Sequence, residues 1–180
     1  MRLSSAGLLA TISLLFACTG PAEQGATSGN PQLAPFPYTA EEIRASNPPG
    51  TVLVYRIDEN GVRYHMIFEF GETDGETVDL ASGATSEEGQ PLGGESQASR
   101  VSWRELRDHA SFEAKNTERV EVSVSVVAGE FDCWLYTVHQ AEPSRVTRYW
   151  FAKQRPGSPV LFTMEAAGRE TYRMELLEAR

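Results

Sequence analysis

The alternation of apolar and polar residues constrains the fold of this chain more than any other feature of its sequence. In the segment VRYHMIFEF, large apolar side chains occupy every second position: Tyr64, Met66, Phe68 and Phe70. Because successive side chains of a β-strand point to opposite faces of a sheet, this pattern predicts a strand with one apolar face.

Seven other segments are rich in β-branched and aromatic residues and predict further strands. They are TVLVYRI, TVDLAS, ERVEVSVSVV, EFDCWLYTV, RVTRYWFAK, VLFTME and TYRMELLE. Turn signals separate them, including Asn60-Gly61, which favours a tight hairpin. Strands joined by short turns lie antiparallel. The sequence therefore predicts a large antiparallel meander of about eight strands.

Two short helices are marked by capping boxes, in which the first residue and a Glu three positions later bond to each other's backbone. Thr39 with Glu42 forms the first box, and Ser102 with Glu105 forms the second. Pro48 ends the first helix, because a residue before proline avoids helical backbone. We therefore expect an α+β fold, a curved half-barrel-like sheet with two short helices on its concave side.

A polar segment between the third predicted strand and the second helix interrupts this pattern. Residues 83–99, GATSEEGQPLGGESQAS, are rich in glycine and show no apolar alternation. The segment is longer than most connections in compact domains. We expect a loop that is either mobile or functional.

The N-terminus has the layout of a secretory signal peptide. Arg2 precedes an apolar run, residues 8–17, which ends in a small residue. A membrane-spanning helix needs about 20 apolar residues, roughly twice this run, so a cleaved signal is favoured over an anchor helix. Residues 1–17 are therefore predicted to be the signal peptide.

The four residues LFAC at the end of this signal resemble the bacterial lipobox. The resemblance implies that Cys18 is the acylated first residue of a mature lipoprotein. Palmitate or similar acyl chains would then anchor the protein stably in a membrane. Thr19 follows where an Asp would imply retention in the inner membrane. The resemblance thus implies an outer-membrane anchor that faces the periplasm.

The mature chain divides into a tether and one domain. Residues 18–37 are rich in small and turn-forming residues, so we expect a disordered tether. Residues 38–180 have the size of a single domain. The net charge is −9, and loss of the signal with Arg2 leaves −10. Such an acidic surface argues against a nucleic-acid partner and against electrostatic docking on anionic lipid.

The second cysteine, Cys133, follows the strand alternation and shares a face with Phe131 and Leu135. A free cysteine on an apolar face behaves as a small hydrophobic residue. A reactive thiolate needs a nearby cation, base or helix N-terminus, and none is local in the sequence. We therefore expect Cys133 to be buried, unpaired and inert.

The sequence contains no pattern typical of catalysis or of metal binding. His65, His109 and His139 do not stand at metal-ligand spacings, and no nucleophile, nucleotide or dinucleotide motif occurs. We expect no cofactor, no metal and no enzymatic activity.

Aromatic residues on two neighbouring predicted strands are the candidate ligand-binding residues: Trp134, Tyr136, Tyr149, Trp150 and Phe151. They supply large rings to both faces of the sheet. Either the helices and the linker cover the second face, as in ordinary two-layer packing, or a curved sheet encloses an apolar cavity. The sequence leaves both alternatives open.

The segments SWRELRDHASF, AGEFDCWLYTV and RYWFAKQRPGSPV resemble a recurring pattern in bacterial envelope proteins, and the overall layout resembles the LolA/LolB-like half-barrels. This resemblance implies that the concave side binds an acyl chain or another apolar ligand. LolB-like receptors display a leucine on a protruding loop. Leu92 is the corresponding candidate here.

These observations favour a lipid-anchored, non-catalytic envelope protein that binds an apolar ligand in a half-barrel cavity. The alternative is an interaction or structural module of the envelope with a solid core. A hydrolase is the least favoured reading. In each case the lipobox resemblance implies that the membrane is a partner, reached through Cys18.

Overall fold

The computed structural model describes residues 32–140 and 144–180, and only the backbone of residues 94–97. The predicted signal peptide, Cys18 and most of the predicted tether lie outside these residues. The described elements are, in chain order, α1 (Ala40–Ser46), β1 (Val52–Glu59), β2 (Val62–Thr73), β3 (Thr77–Thr85), β4 (Pro91–Ser102), α2 (Trp103–Asp108), a 3-10 turn (Ala114–Asn116), β5 (Thr117–Val126), β6 (Gly129–Gln140), β7 (Arg145–Ala152), β8 (Leu161–Ala166) and β9 (Arg169–Ala179).

The strands form one antiparallel sheet in the order β4-β3-β2-β1-β9-β8-β7-β6-β5. Two meanders, β1 to β4 and β5 to β9, are joined where β1 pairs with β9. Among the described residues β4 and β5 form the two edges, so the sheet stays open. The predicted fold class, an α+β half-barrel-like fold with two short helices, is confirmed.

The predicted loop at residues 83–99 is wrong. Strand β3 continues to Thr85, and β4 begins at Pro91 and pairs with β3 at both of its ends, with a register shift between Ser82 and Ala84. Because β4 is an edge strand, backbone hydrogen bonds hold it and its side chains need no apolar alternation. This strand accounts for the difference between the eight strands predicted and the nine observed.

Both predicted capping boxes are present. Thr39 Oγ1 accepts from the Glu42 N–H at 3.2 Å, and Glu42 Oε2 accepts from the Thr39 N–H at 2.7 Å. Ser102 and Glu105 make the same pair of bonds. α1 ends at Ser46, before Pro48, and α2 ends at Asp108. No helix of the described residues is long and apolar enough to cross a membrane.

Cross-strand register separates the two faces of the sheet. On the concave face one row runs through Tyr136, Tyr149, Phe162, Met174 and Ile57, each directly opposite the next. On the convex face the corresponding row runs through Val120, Leu135, Trp150, Leu161, Glu175 and Arg56. The concave row is apolar throughout, whereas the convex row changes from apolar to charged.

The strap, residues 32–38, crosses the concave side. The Ala34 N–H donates to the Phe112 carbonyl at 2.8 Å. The hydroxyls of Tyr136 and Tyr38 donate to the Pro35 and Ala152 carbonyls, each at 2.6 Å. The predicted tether thus overlaps the packed part of the chain at residues 32–37, because these bonds and the buried Ala34 fix the strap on the sheet.

At one end of the sheet, residues 153–160 connect the end of β7 to the start of β8. The tip of the β5–β6 hairpin reaches β9 there, where the Ala128 N–H donates to the Leu176 carbonyl at 3.2 Å. The neighbouring Val127 N–H donates to Glu175 Oε1 at 3.2 Å. The hairpin tip thereby links the β5 edge region to the middle of the sheet.

Candidate functional site

A cavity of about 520 Å³ lies between the concave face of the sheet and the layer formed by the strap and helices. Its wall comes from the strap, both helices, β2, strands β7 to β9 and the 153–160 connection. The lining residues are Pro37, Tyr38, Ile43, Phe70, Leu106, Arg107, His109, Ala110, Tyr149, Phe151, Gly157, Ser158, Pro159, Phe162, Met164, Tyr172 and Met174. This volume falls in the range of ligand pockets, about 300–1,000 Å³.

The sheet side of the cavity is a continuous apolar floor. The ring centroids of Tyr149 and Phe162 are 4.8 Å apart, and those of Phe162 and Tyr172 are 5.5 Å apart. Met164 and Met174 complete this floor with flexible thioether side chains, which adapt to irregular apolar shapes. All five side chains are only half-buried, so apolar surface remains free to contact a ligand.

The helix side is held by packing between the two layers. Ile43 is the buried residue of α1, and Trp103 is the buried residue of α2. The Trp103 ring stacks on Phe70 at 6.0 Å with planes 2° apart, which fixes α2 over β2. The second capping box sets where α2 begins, and Leu106 of this helix and Ala110 of the turn that follows it lie in the wall.

Arg107 and His109 carry the basic groups of the lining. The Arg107 guanidinium donates to Asp108 Oδ1 at 2.8 and 2.5 Å and lies 4.8 Å from the centroid of the Phe36 ring. Burial raises the pKa of Tyr149. Burial, together with the nearby Tyr64 and Glu59, raises the pKa of Tyr172 to about 12. Both phenols are therefore neutral at physiological pH.

The candidate ligand-binding residues from the sequence are not gathered at one place. Tyr149 and Phe151 line the cavity. Tyr136 lies on the same face but under Phe112, with ring centroids 5.5 Å apart. Trp134 lies on the same face. Its ring is covered by the Arg119 guanidinium and the Lys153 ammonium, which lie 3.7 Å and 4.1 Å from the ring centroid.

The other two candidates lie away from the cavity. Trp150 is directly opposite Leu135 and Leu161 on the convex face. Leu92 lies on the edge strand β4, and 47% of it is exposed. A ligand-binding role for these residues stays a prediction, and the cavity lining does not include them.

Of the 17 lining residues, the sequence prediction included only Tyr149 and Phe151. Four of those that it did not include form most of the floor: Phe162, Met164, Tyr172 and Met174. They follow the same period-two alternation in two strands joined by a hairpin, so the signal was present. The density of aromatic residues is highest in β6 and β7, but this density does not indicate which rings another layer covers.

Cys133 is fully buried, as predicted, and its thiol lies 3.6 Å from the Phe131 carbonyl. Burial, and then the charge of Asp132, raise the pKa of the thiol to about 11, although Lys153 opposes the shift. The thiol is therefore protonated at neutral pH and lacks the thiolate that nucleophilic catalysis requires. In the described part of the chain, no group of three or more His, Cys, Asp or Glu side chains is placed to hold a metal ion.

Fold and cavity together define the class: an open α+β half-barrel with an apolar cavity on its concave side. No family model and no curated protein matches the sequence. Among solved structures, the complex of Pseudomonas aeruginosa MucA and MucB contains a chain that superposes with a TM-score of 0.51 at 12% identity, over 78% of this chain and 54% of that chain. This likeness supports the shared fold.

Two further solved structures are similar at lower scores. An exported protein with a YmcC-like fold from Bacteroides fragilis has a TM-score of 0.47 at 10% identity, over 74% of this chain and 97% of that chain. An outer membrane lipoprotein-sorting protein domain from Vibrio parahaemolyticus has a TM-score of 0.31 at 8% identity, over 78% and 89%.

Proposed function

We propose that this protein is a non-catalytic protein of the bacterial cell envelope that binds an apolar ligand, such as an acyl chain, in the half-barrel cavity. The observation that carries the proposal is the cavity itself, with its half-buried floor of aromatic and methionine side chains. A soluble domain normally covers such side chains, because each square ångström of apolar surface left in water costs roughly 25 cal/mol. An apolar ligand would cover them.

Envelope location is supported by the secretory layout of residues 1–17 and by the lipobox-like residues that end at Cys18. In this proposal the acyl chains on Cys18 hold the protein at the outer membrane, while the cavity stays accessible from the periplasm.

The anchor is tested by the substitution Cys18→Ser. We expect the variant to leave the membrane fraction or to accumulate with its signal uncleaved, because a serine cannot form the thioether to lipid. Metabolic labelling with an acyl chain should mark the wild-type protein only. Normal fractionation and labelling of the variant would refute the anchor.

Ligand binding is tested with an environment-sensitive apolar dye and the full chain. Ala110 lines the cavity, so Ala110→Leu adds three carbons inside it. We expect micromolar dye binding to the wild type, which corresponds to about −8 kcal/mol, and at least tenfold weaker binding to this variant. Ala98→Leu makes the same change on the exposed edge strand β4 and is the matched control.

Mass spectrometry of compounds that co-purify with the protein provides a second readout. An apolar compound should accompany the wild type and the Ala98→Leu control and should be depleted from Ala110→Leu. A folded protein that neither binds the dye nor carries such a compound would overturn the ligand-binding proposal.

The second candidate function is an interaction module that binds a protein partner of the envelope. The observation that favours it is the similar fold in a solved complex of two proteins, MucA and MucB. In that case the Ala110→Leu substitution should leave partner capture unchanged, whereas substitutions on the interaction surface should abolish it.

A further inference from the structure

The charge of the cavity wall contrasts with that of the whole chain. The chain has 25 acidic and 16 basic residues. None of the 17 residues that line the cavity is acidic, and two of them, Arg107 and His109, are basic. The lining of this acidic protein thus contains an arginine and a histidine but no acidic residue, and the carboxylate bonded to Arg107, that of Asp108, lies outside the lining.

Arg107 is fixed in position before any ligand binds. Its Nε and Nη2 groups both donate to Asp108 Oδ1, and its guanidinium stacks over Phe36. A guanidinium has five N–H donors in a rigid plane. The two bonds to Asp108 therefore leave three donors for a ligand, on a group whose orientation is already set.

The backbone beside Arg107 does not oppose an anion. The carbonyls of Glu105 and Arg107 accept hydrogen bonds from the His109 and Ala110 N–H groups at 3.2 and 3.0 Å. The Ser111 N–H donates to the Asp108 carbonyl at 3.0 Å. These three carbonyls of α2 are thus engaged by the following turn.

We propose that the ligand is an anionic amphiphile. Its apolar chain lies on the floor formed by Phe162, Met164 and Met174, and its carboxylate or phosphate binds the Arg107 guanidinium with His109 beside it. Hydrogen bonds between a guanidinium and an oxyanion are short and about twice as strong as neutral ones, which gives such a ligand an advantage over neutral chains. This inference rests on the proposed apolar cavity and adds the chemistry of the ligand's polar end.

The test compares four ligands of equal chain length with the full-length protein: an alkyl carboxylate, an alkyl phosphate, an alkyl alcohol and an alkyl trimethylammonium. Each displaces the apolar dye, and all are used below their critical micelle concentrations. We expect at least one of the two anions to bind about tenfold more tightly than the alcohol, equivalent to about 1.4 kcal/mol, and the cation to bind most weakly. The carboxylate and phosphate arms distinguish a fatty acid from a phosphorylated lipid.

The variants Arg107→Gln and Arg104→Gln assign the effect to a residue. Both arginines lie on α2 and approach Asp108, but Arg104 is outside the cavity lining and its side chain is 67% exposed. Each variant removes one positive charge from the same helix. We expect Arg107→Gln to reduce the ratio of anion to alcohol affinity about tenfold and Arg104→Gln to leave that ratio within about twofold.

The outcomes separate this inference from the proposed function. If the alcohol binds to the wild type as tightly as both anions, the cavity binds apolar chains whatever the charge of their polar end. The inference then fails, while the proposed function stands. Equal changes in the two arginine variants would replace the contact at Arg107 with a general electrostatic field and would also refute it. If no ligand binds to folded protein, the proposed function itself fails.

Discussion

Two regions of the concave face are built from similar residues but differ in how far the opposite layer covers them. In the packed region, Phe112 and Tyr38 cover the rings of Tyr136 and Phe151, with centroids 5.5 Å apart for Phe112–Tyr136 and 5.9 Å apart for Tyr38–Phe151. These four residues are buried, and Tyr38 and Phe151 form the border between this region and the cavity. The strap brings Tyr38 to this position, and the chain after α2 brings Phe112.

In the cavity region, the corresponding side chains of β8 and β9 remain half-buried and face the cavity: Phe162, Met164, Tyr172 and Met174. The strands of both regions present apolar side chains at every second position. The difference arises from the layer above them, which delivers two aromatic rings to one region and leaves space over the other. A strand's own sequence thus provides an apolar surface, and the opposite layer decides whether it becomes core or binding site.

The largest effect is expected for Phe112→Ala in the packed region. Phe112 contacts the rings of Tyr136, Tyr149 and Phe151. Removing its ring should lower the free energy of unfolding by about 3–4 kcal/mol, because a buried aromatic is lost and the surroundings only partly collapse. Chemical denaturation with an unchanged slope measures this loss. A loss below about 1 kcal/mol would show that the packed region is not a core.

The same substitution in the cavity region, Phe162→Ala, should have a smaller effect on stability and a large effect on dye binding. We expect a loss of about 1–2 kcal/mol, because the half-buried ring has fewer neighbours to lose. Dye binding should weaken strongly, since part of the floor is removed. Equal destabilisation by Phe162→Ala and Phe112→Ala would contradict the division of the concave face into a packed region and a cavity region.

The cavity strands are also supported from the convex side, where Glu175 on β9 accepts from Arg56 at 2.8 Å and from the Val127 N–H at 3.2 Å. Arg173 lies 3.6 Å from the same carboxylate. Burial by itself would raise the pKa of Glu175, but the hydrogen bond and charge of Arg56, with the other two contacts, hold that pKa below its usual range.

Glu175→Gln should therefore lower stability at neutral pH by about 1 kcal/mol, a modest value because solvent reaches the Arg56 side of the pair. A carboxyl group whose pKa is depressed by folding contributes stability above its unfolded pKa of about 4.3 and loses it as pH falls through the folded value. The difference between wild type and variant should thus shrink below about pH 4. Glu178→Gln removes an exposed pair with Arg180 and serves as the control, with a smaller and flatter effect.

The smallest effect is expected at the turn that joins the two cavity strands. Ala167 and Gly168 both have positive φ values, 51° and 74°, as Asn60 and Gly61 do in the β1–β2 hairpin, 52° and 86°. Asparagine tolerates this conformation better than alanine, so Ala167→Asn should raise stability by about 0.5–1 kcal/mol without changing dye binding. Asn60→Ala, the reverse change in the other hairpin, should lower stability by a similar amount. Destabilisation by Ala167→Asn would contradict this reading of the turn.

Local sequence signals predicted most of the elements because each depends on neighbouring residues. The two capping boxes, the Asn60-Gly61 hairpin and the face of Cys133 all follow from side chains within a few positions of one another. The edge strand β4 was missed for the converse reason, since an edge strand held by backbone bonds to β3 needs no apolar pattern of its own.

The sequence by itself determined that the chain alternates as an antiparallel sheet, where the helices begin, and which positions of most strands are apolar. Only the tertiary structure decided that β1 pairs with β9, that Phe112 fills one part of the concavity, and that Arg107 faces the other part. The physical reason is that periodicity records the environment that a side chain requires but not the residue that provides it. Contacts between residues far apart in the chain depend on how the whole sheet curves and where the strap crosses it.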